Sequence, residues 1–192
     1  MLNRAKTITA EVVDLLEASQ HENYIGEPVS QLEHALQSAH FAKKAKCSDE
    51  MIIAALLHDI GHLCEYPQKK SMAGLGVYEH ERIGAEFLKQ RHFSSMVCEL
   101  VVGHVQAKRY LVFKEFGYGK KLSEASQGTL HFQGGPMNKN EADAFEKDPL
   151  FREKIMIRKF DELAKETYLE RDSLPVYTEM IHKHLLPQLT QS

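Results

Sequence analysis

Apolar residues recur at helical spacing along most of the chain. Ile8, Val12, Leu15 and Leu16 stand at i, i+4, i+7 and i+8 and predict a first helix over about 7–19. A loop containing Gly26 and Pro28 follows, and Ser30 with Glu33 has the spacing of a capping box that opens a second helix. Leu32, Ala35, Leu36 and Ala39 form one face of that helix; His34, Ser38 and Phe41 lie on another. Ser48 can cap a third helix, whose run 51–57 is apolar all round and predicts a central, buried position. This run leads into His58-Asp59, and Gly61 is expected to end it.

Residues 63–78, with Pro67, Gly74 and Gly76, read as a loop. A fourth helix carries His80, Ile83, Gly84, Phe87 and Leu88. A fifth, capped by Ser94 or Ser95, places Val97, Leu100, Val101, His104 and Val105 on one stripe, with Lys108 one turn beyond His104. The glycine-rich stretch 117–140 allows a short helix over 123–132, and Asn138 with Glu141 has capping-box form. Asp148-Pro149 predicts the start of a long helix to about residue 168, with Ile157, Asp161, Ala164 and Tyr168 on one face. A last helix is expected from Pro175 to just before Pro187. No alternating strand pattern, repeat or linker appears, so the expected fold is all-α, one domain over 1–192.

Composition narrows the function. The chain has 192 residues, 24 basic against 27 acidic, for a net charge of −3. No basic excess favours nucleic acid or an anionic membrane. No apolar run approaches the ~18 residues of a membrane span, and the N-terminus lacks a signal-peptide pattern. Cys47, Cys64 and Cys98 are widely spaced, which points to a reducing cytoplasm rather than a disulfide frame. The pattern fixes no oligomeric state. Histidine stands out, at eleven residues, and it is the commonest metal ligand and acid–base group.

Ionisable groups are rarely buried, because a stranded charge costs several kcal/mol. Yet His58, Asp59, His80, His104 and Asp161 sit on apolar stripes or at the end of the buried helix, and His34 is close behind. Each has a bland explanation alone: a core histidine bonded to a carbonyl, or Asp161 paired with Arg158 or Lys165. Together, on separate helices, they point to a metal centre that gives every polar group a partner. One tetrahedral ion would take four ligands; six, one of them a carboxylate with two oxygens, fit two ions bridged by Asp59, typically about 3.5–4 Å apart. Nitrogen and carboxylate donors suit iron, manganese or zinc. The remaining histidines, 21, 40, 92, 131, 182 and 184, read as surface or structural.

His34, the adjacent His58-Asp59 and the late Asp161 resemble the H…HD…D signature of the HD-domain superfamily, and His80 and His104 match its dinuclear branch. The resemblance implies that His34, His58, Asp59 and Asp161 hold one metal, and Asp59, His80 and His104 the other. Tyr24, Glu27, His62, Lys108, Ser126, Thr129 and Gln133 further resemble the mixed-valent di-iron oxygenases of this superfamily that cleave phosphonates. That branch implies two irons, Fe(II)/Fe(III), with O₂ as co-substrate, and cleavage of the C–P bond of (R)-2-amino-1-hydroxyethylphosphonate to glycine and phosphate. It also implies that Tyr24 occupies an iron position until substrate displaces it, and that Glu27 meets the substrate ammonium. Asp59, Tyr24 and His62 are then the catalytic candidates; Glu27, His62, Lys108, Ser126, Thr129 and Gln133 are the substrate contacts.

Several of these also have physical grounds. Ser126, Thr129 and Gln133 fall at i, i+3 and i+7, so one face would present two hydroxyls and an amide to anionic oxygens. Lys108 would aim an ammonium near the metals, where only a bound anion makes it favourable. His62, three residues after Asp59, is placed to bond a phosphonate oxygen or relay a proton. With Fe(II)/Fe(III) and two aspartates the centre is cationic, which matches a small zwitterionic phosphonate. Two rival readings share the metal ligands: a phosphohydrolase acting on a nucleotide or small phosphomonoester without O₂, and a metal-stabilised binding module.

Overall fold

The computed structural model describes residues 2–24, 26–65 and 70–190; Ile25 and Pro67, which fall in two of the predicted loops, lie outside them. The chain is all-α, and among the described residues β-pairing is limited to two isolated bridges, Asn23–Ser30 and Ser71–Val77. The helices are α1 (Leu2–Ala18), α2 (Gln31–Lys44), α3 (Asp49–Leu57), α4 (His80–Gln90), α5 (Ser95–Lys114), α6 (Tyr118–Lys121), α7 (Glu124–Phe132), α8 (Lys139–Phe145), α9 (Phe151–Leu163) and α10 (Leu174–Gln188).

Caps explain most starts. Ser30 accepts from Glu33 N and Glu33 returns the bond, closing the capping box of α2. Asn138 and Glu141 do the same for α8. Ser48 caps α3, Ser94 (not Ser95) caps α5, and Ser123 caps α7. Helix α3 is the hub. Every residue from Met51 to Leu57 is buried, and the helix packs against α2, α5, α9 and α10. α4 lies along α5, and α1 packs on α10. A smaller cluster of Tyr110, Leu111, Tyr118, Met137 and Phe145 seals the end of α5 against α6 and α8.

Several expectations change. The first helix starts at Leu2 rather than near Thr7. Asp148 does not cap α9: its Oδ1 accepts from Leu150 N, its Oδ2 holds Lys154, and Leu150 is the N-cap residue. α9 ends at Leu163, short of 168. The Ala164 carbonyl bonds His34 Nδ1 (2.8 Å), and Glu166 exchanges two bonds with the Gln37 amide (2.7 and 3.0 Å), so side chains of α2 take the groups that would continue the helix. Tyr168 is therefore solvent-exposed, off the face that carries Asp161. α10 runs through Pro187, which sits one residue from its end, where few backbone bonds are left to lose.

Gly61 does not cap α3 either. α3 stops at Leu57, and Gly61 lies in the 3₁₀ turn Ile60–His62. Its hydrogen is the requirement: a Cβ there would stand 1.9 Å from His80 O and 2.8 Å from Gly84 N. Gly61 and Gly84 let the turn after His58-Asp59 pass against the first turn of α4, bringing His80 beside Asp59.

Candidate metal centre

Five helices and one turn deliver the predicted ligands. His34 comes from α2, His58 from the end of α3, Asp59 from the turn after it, His80 from the first residue of α4, His104 from mid-α5 and Asp161 from α9. All four histidines and Asp161 are buried.

The inward atoms fall into two sets. His34 Nε2 lies 3.2 Å from His58 Nε2, 3.7 Å from Asp59 Oδ2 and 3.5 Å from Asp161 Oδ1; His58 Nε2 is 3.3 Å from Asp59 Oδ2. His80 Nε2 lies 3.1 Å from His104 Nε2, and these two stand 3.3 and 3.4 Å from Asp59 Oδ1. Asp59 thus gives one oxygen to each set. Donors about 2.1 Å from a common ion are separated by about 3.0–3.5 Å, which matches these spacings.

The outer nitrogens explain the orientation. His34 Nδ1 donates to Ala164 O (2.8 Å), His58 Nδ1 to Ala55 O (2.8 Å), His80 Nδ1 to Val77 O (3.3 Å) and His104 Nδ1 to Val101 O (2.6 Å). A carbonyl can only accept, so each Nδ1 carries a proton and each Nε2 is the nitrogen that points inward. Two imidazole nitrogens 3.1–3.2 Å apart share at most one proton, whereas an ion satisfies both. The donor set therefore fits metal on its chemistry and its spacing.

Charges agree. Burial would lower the His58 pKa, but Asp59 overrides it and holds the ring up at about 9. Burial pushes His34 down to about 4, helped by the neighbouring His58, and depresses His104 well below its usual range. Burial would raise both aspartates; His58 and His80 pull Asp59 well below the carboxylate range, and Arg158 with the histidines does so for Asp161. An ion must displace the proton that Asp59 draws to His58, so metal uptake releases a proton.

His62 differs from the four. Its ring stacks on His80 at 4.1 Å, and it lies close enough to Asp59 and His80 to count as a ligand by distance alone. But Val77 N–H donates to its Nδ1 (3.1 Å), which puts the neutral ring's proton on Nε2. His62 is thus a donor in the cavity wall. Tyr24 stacks on His34 at 3.8 Å, and its hydroxyl donates to Asp59 Oδ2 (3.1 Å). Burial and Asp59 push this phenol well above its usual pKa.

A cavity of about 60 Å³ opens beside the ligands, room for roughly four to six waters. The predicted recognition residues Glu27, His62, Lys108, Ser126, Thr129 and Gln133 all line it. Lys108 is buried and donates to Thr129 Oγ1 (2.9 Å) and Ser126 O (3.3 Å). Burial, with Arg158 nearby, lowers its pKa to about 7. Gln133 Oε1 is buried with no hydrogen-bond partner among the described residues.

Three polar lining residues escaped the sequence reading as contributors to this cavity. Arg158 bonds Asp161 Oδ2 (2.5 Å) and Ser126 Oγ (3.1 Å), so the local pair foreseen as a bland alternative coexists with Asp161's place in the cluster. Lys165 pairs with Glu27 (2.5 Å) and reaches Ser123 Oγ (3.1 Å), so Glu27 meets a cation of this chain. Arg158 carried a signal: a charged residue next to Ile157 on the buried face of α9. Ser123 and Lys165 carried none, since their partners are remote in sequence.

Residues 32–166 match the model of the HD domain. The chain belongs to the HD-domain family. It is similar to the [1-hydroxy-2-(trimethylamino)ethyl]phosphonate dioxygenase (glycine-betaine-forming) of Leisingera caerulea, 40% identical over 168 residues that cover 85% of each protein. It is also similar to the hydroxymethylphosphonate dioxygenase of Gimesia maris, 38% identical over 180 residues, 92% of this chain and 89% of that one. An uncharacterised protein of Acanthamoeba polyphaga mimivirus is 36% identical over 91% of this chain and 80% of its own. Within the HD-domain family the chain thus stands on the branch of the phosphonate dioxygenases. No helix among the described residues is long and apolar enough to cross a membrane.

Proposed function

We propose that the protein is a di-iron dioxygenase that cleaves the C–P bond of a short α-hydroxyphosphonate, with (R)-2-amino-1-hydroxyethylphosphonate as substrate and glycine and phosphate as products, working as one HD domain over 1–192. The observation that carries this is the sharing of Asp59 between two ligand sets beside a cavity lined by hydroxyls and cations. The set His80, His104, Asp59 is a two-histidine, one-carboxylate group of the kind used by non-haem iron oxygenases. The dioxygenase relatives support the same reading. The stoichiometry closes on one O₂, with both oxygen atoms accounted for in glycine and phosphate and no external reductant.

Two bound irons, Fe(II)/Fe(III), would supply oxygen activation and lower the pKa of the substrate hydroxyl. The chain's residues do the rest. Lys108, Arg158, Ser126 and Thr129 hold the phosphonate oxygens. His62, protonated on Nε2, donates to the same group or returns a proton to the departing phosphate. Tyr24 covers the His34–Asp59 side and swings away when substrate enters. Glu27 faces the ammonium tail. The buried walls of the cavity exclude bulk water from the ligands.

The test is oxygen uptake by iron-loaded protein with this substrate, expected to match glycine and phosphate one for one. Hydrolysis of p-nitrophenyl phosphate under argon, with no O₂ uptake on any phosphonate, would replace the reading with a phosphohydrolase.

A further inference from the structure

One part-buried contact in the cavity wall has no task in the reaction just described. Lys165 Nζ lies 2.5 Å from Glu27 Oε1 and 3.1 Å from Ser123 Oγ, and both partners line the substrate cavity. The Glu27 side chain is 10% exposed and that of Lys165 21%, so the pair is largely shielded from water. Glu27 Oε2 makes no hydrogen bond among the described residues.

We propose that Lys165 is an internal counter-cation that occupies Glu27 before substrate arrives, and so sets how the cavity chooses between phosphonates with and without a cationic tail. This rests on the phosphonate reading above. A tail with no charge leaves the ion pair intact. A cationic tail must share Glu27 with Lys165 or displace it, and two cations on one shielded carboxylate repel. A primary ammonium can donate to Oε2 while Lys165 keeps Oε1. A trimethylammonium has no N–H and can approach only by driving Lys165 off. Lys165 cannot retreat with its backbone, because segment 164–166 is held by His34 on the Ala164 carbonyl and by Gln37 on both groups of Glu166. Its ammonium can only swing on its own stem, with Ser123 Oγ as the alternative partner. The penalty therefore rises from hydroxymethylphosphonate to the primary amine to the trimethylated amine.

The experiment measures anaerobic binding to the Fe(II)-loaded protein by calorimetry. Three probes are used: hydroxymethylphosphonate, 2-amino-1-hydroxyethylphosphonate and [1-hydroxy-2-(trimethylamino)ethyl]phosphonate. Lys165→Met should tighten the trimethylated ligand relative to hydroxymethylphosphonate by at least about tenfold, and the primary amine by less. Lys165→Arg should restore the wild-type order. Equal changes for all three ligands, or weaker relative binding of the cationic ones in Lys165→Met, overturn the proposal. Absence of O₂ uptake by wild type with all three overturns the dioxygenase reading alone, since the affinity ratios are read without oxygen. If neither wild type nor Lys165→Met binds any probe, both fall.

Discussion

The two halves of the cavity are built in different ways. The ligand half rests on the core: four histidines, each buried and each anchored by Nδ1 to a backbone carbonyl, project from helices packed around α3. The recognition half takes Lys108, Arg158 and His62 from the packed elements behind the ligands, but the rest of it is the loop carrying Tyr24 and Glu27, the short helix α7, in which no residue is fully buried, and the segment after α9. A centre fixed by packing cannot shift without cost to the fold, whereas a wall of short elements can be re-tailored. Relatives named for phosphonates with different tails fit that division.

Substitutions on the two sides should differ in kind. The largest effect is expected at the shared ligand. Asp59→Ala should abolish binding of both ions and all turnover, read as metal content after gel filtration; retention of two metals per chain would refute the bridging role. Next is Gly61→Ala. The added methyl meets backbone of α4 and cannot be relieved by a side-chain move, so about 1–3 kcal/mol of stability should be lost in urea unfolding, with metal affinity weakened on the His80 side. An unchanged midpoint would show that the close approach is not needed.

On the recognition side the fold should survive and binding should suffer. Lys108→Met should raise KM about tenfold with the unfolding midpoint unchanged, as expected for loss of one charged hydrogen bond. The sign of the pH effect follows from its lowered pKa. Lys108 is charged below about 7 and neutral above, so kcat/KM should fall as pH rises through that value. A basic limb that persists in Lys108→Met assigns the titration to another group.

The smallest effect lies outside both halves. His184 accepts from Ser94 N–H (3.2 Å), and burial lowers its pKa. With the folded pKa below the unfolded one, the unfolded chain binds the proton first, so stability is lost as pH drops below about 6.5. His34 acts with the same sign. His184→Gln should therefore melt closer to its neutral-pH midpoint at pH 5.5 than wild type does; an equal acid shift in both proteins removes His184 from the account.

Much of this was legible in the chain. His80, His104 and Asp161 betray themselves because an ionisable group on an apolar stripe demands a partner, and the caps at Ser30, Ser48 and Asn138 are local signals. What escaped depends on contacts between remote segments. The end of α9 is decided by His34 and Gln37, about 130 residues earlier, so helix periodicity alone overran to residue 168. Gly61 looks like a helix terminator until α4 is laid against it. Lys165 reads as a same-helix partner for Asp161 until the chain turns at Ala164 and brings it to Glu27.

That turn ties two sites together. The imidazole that offers Nε2 to an ion holds with its Nδ1 the carbonyl next to Lys165. An ion that fixes the His34 ring also steadies the stretch of backbone from which the tail-reading lysine hangs. By reciprocity a seated ligand that steadies this stretch favours retention of the ion, so more chelator should be needed to strip the centre at equilibrium when phosphonate is present.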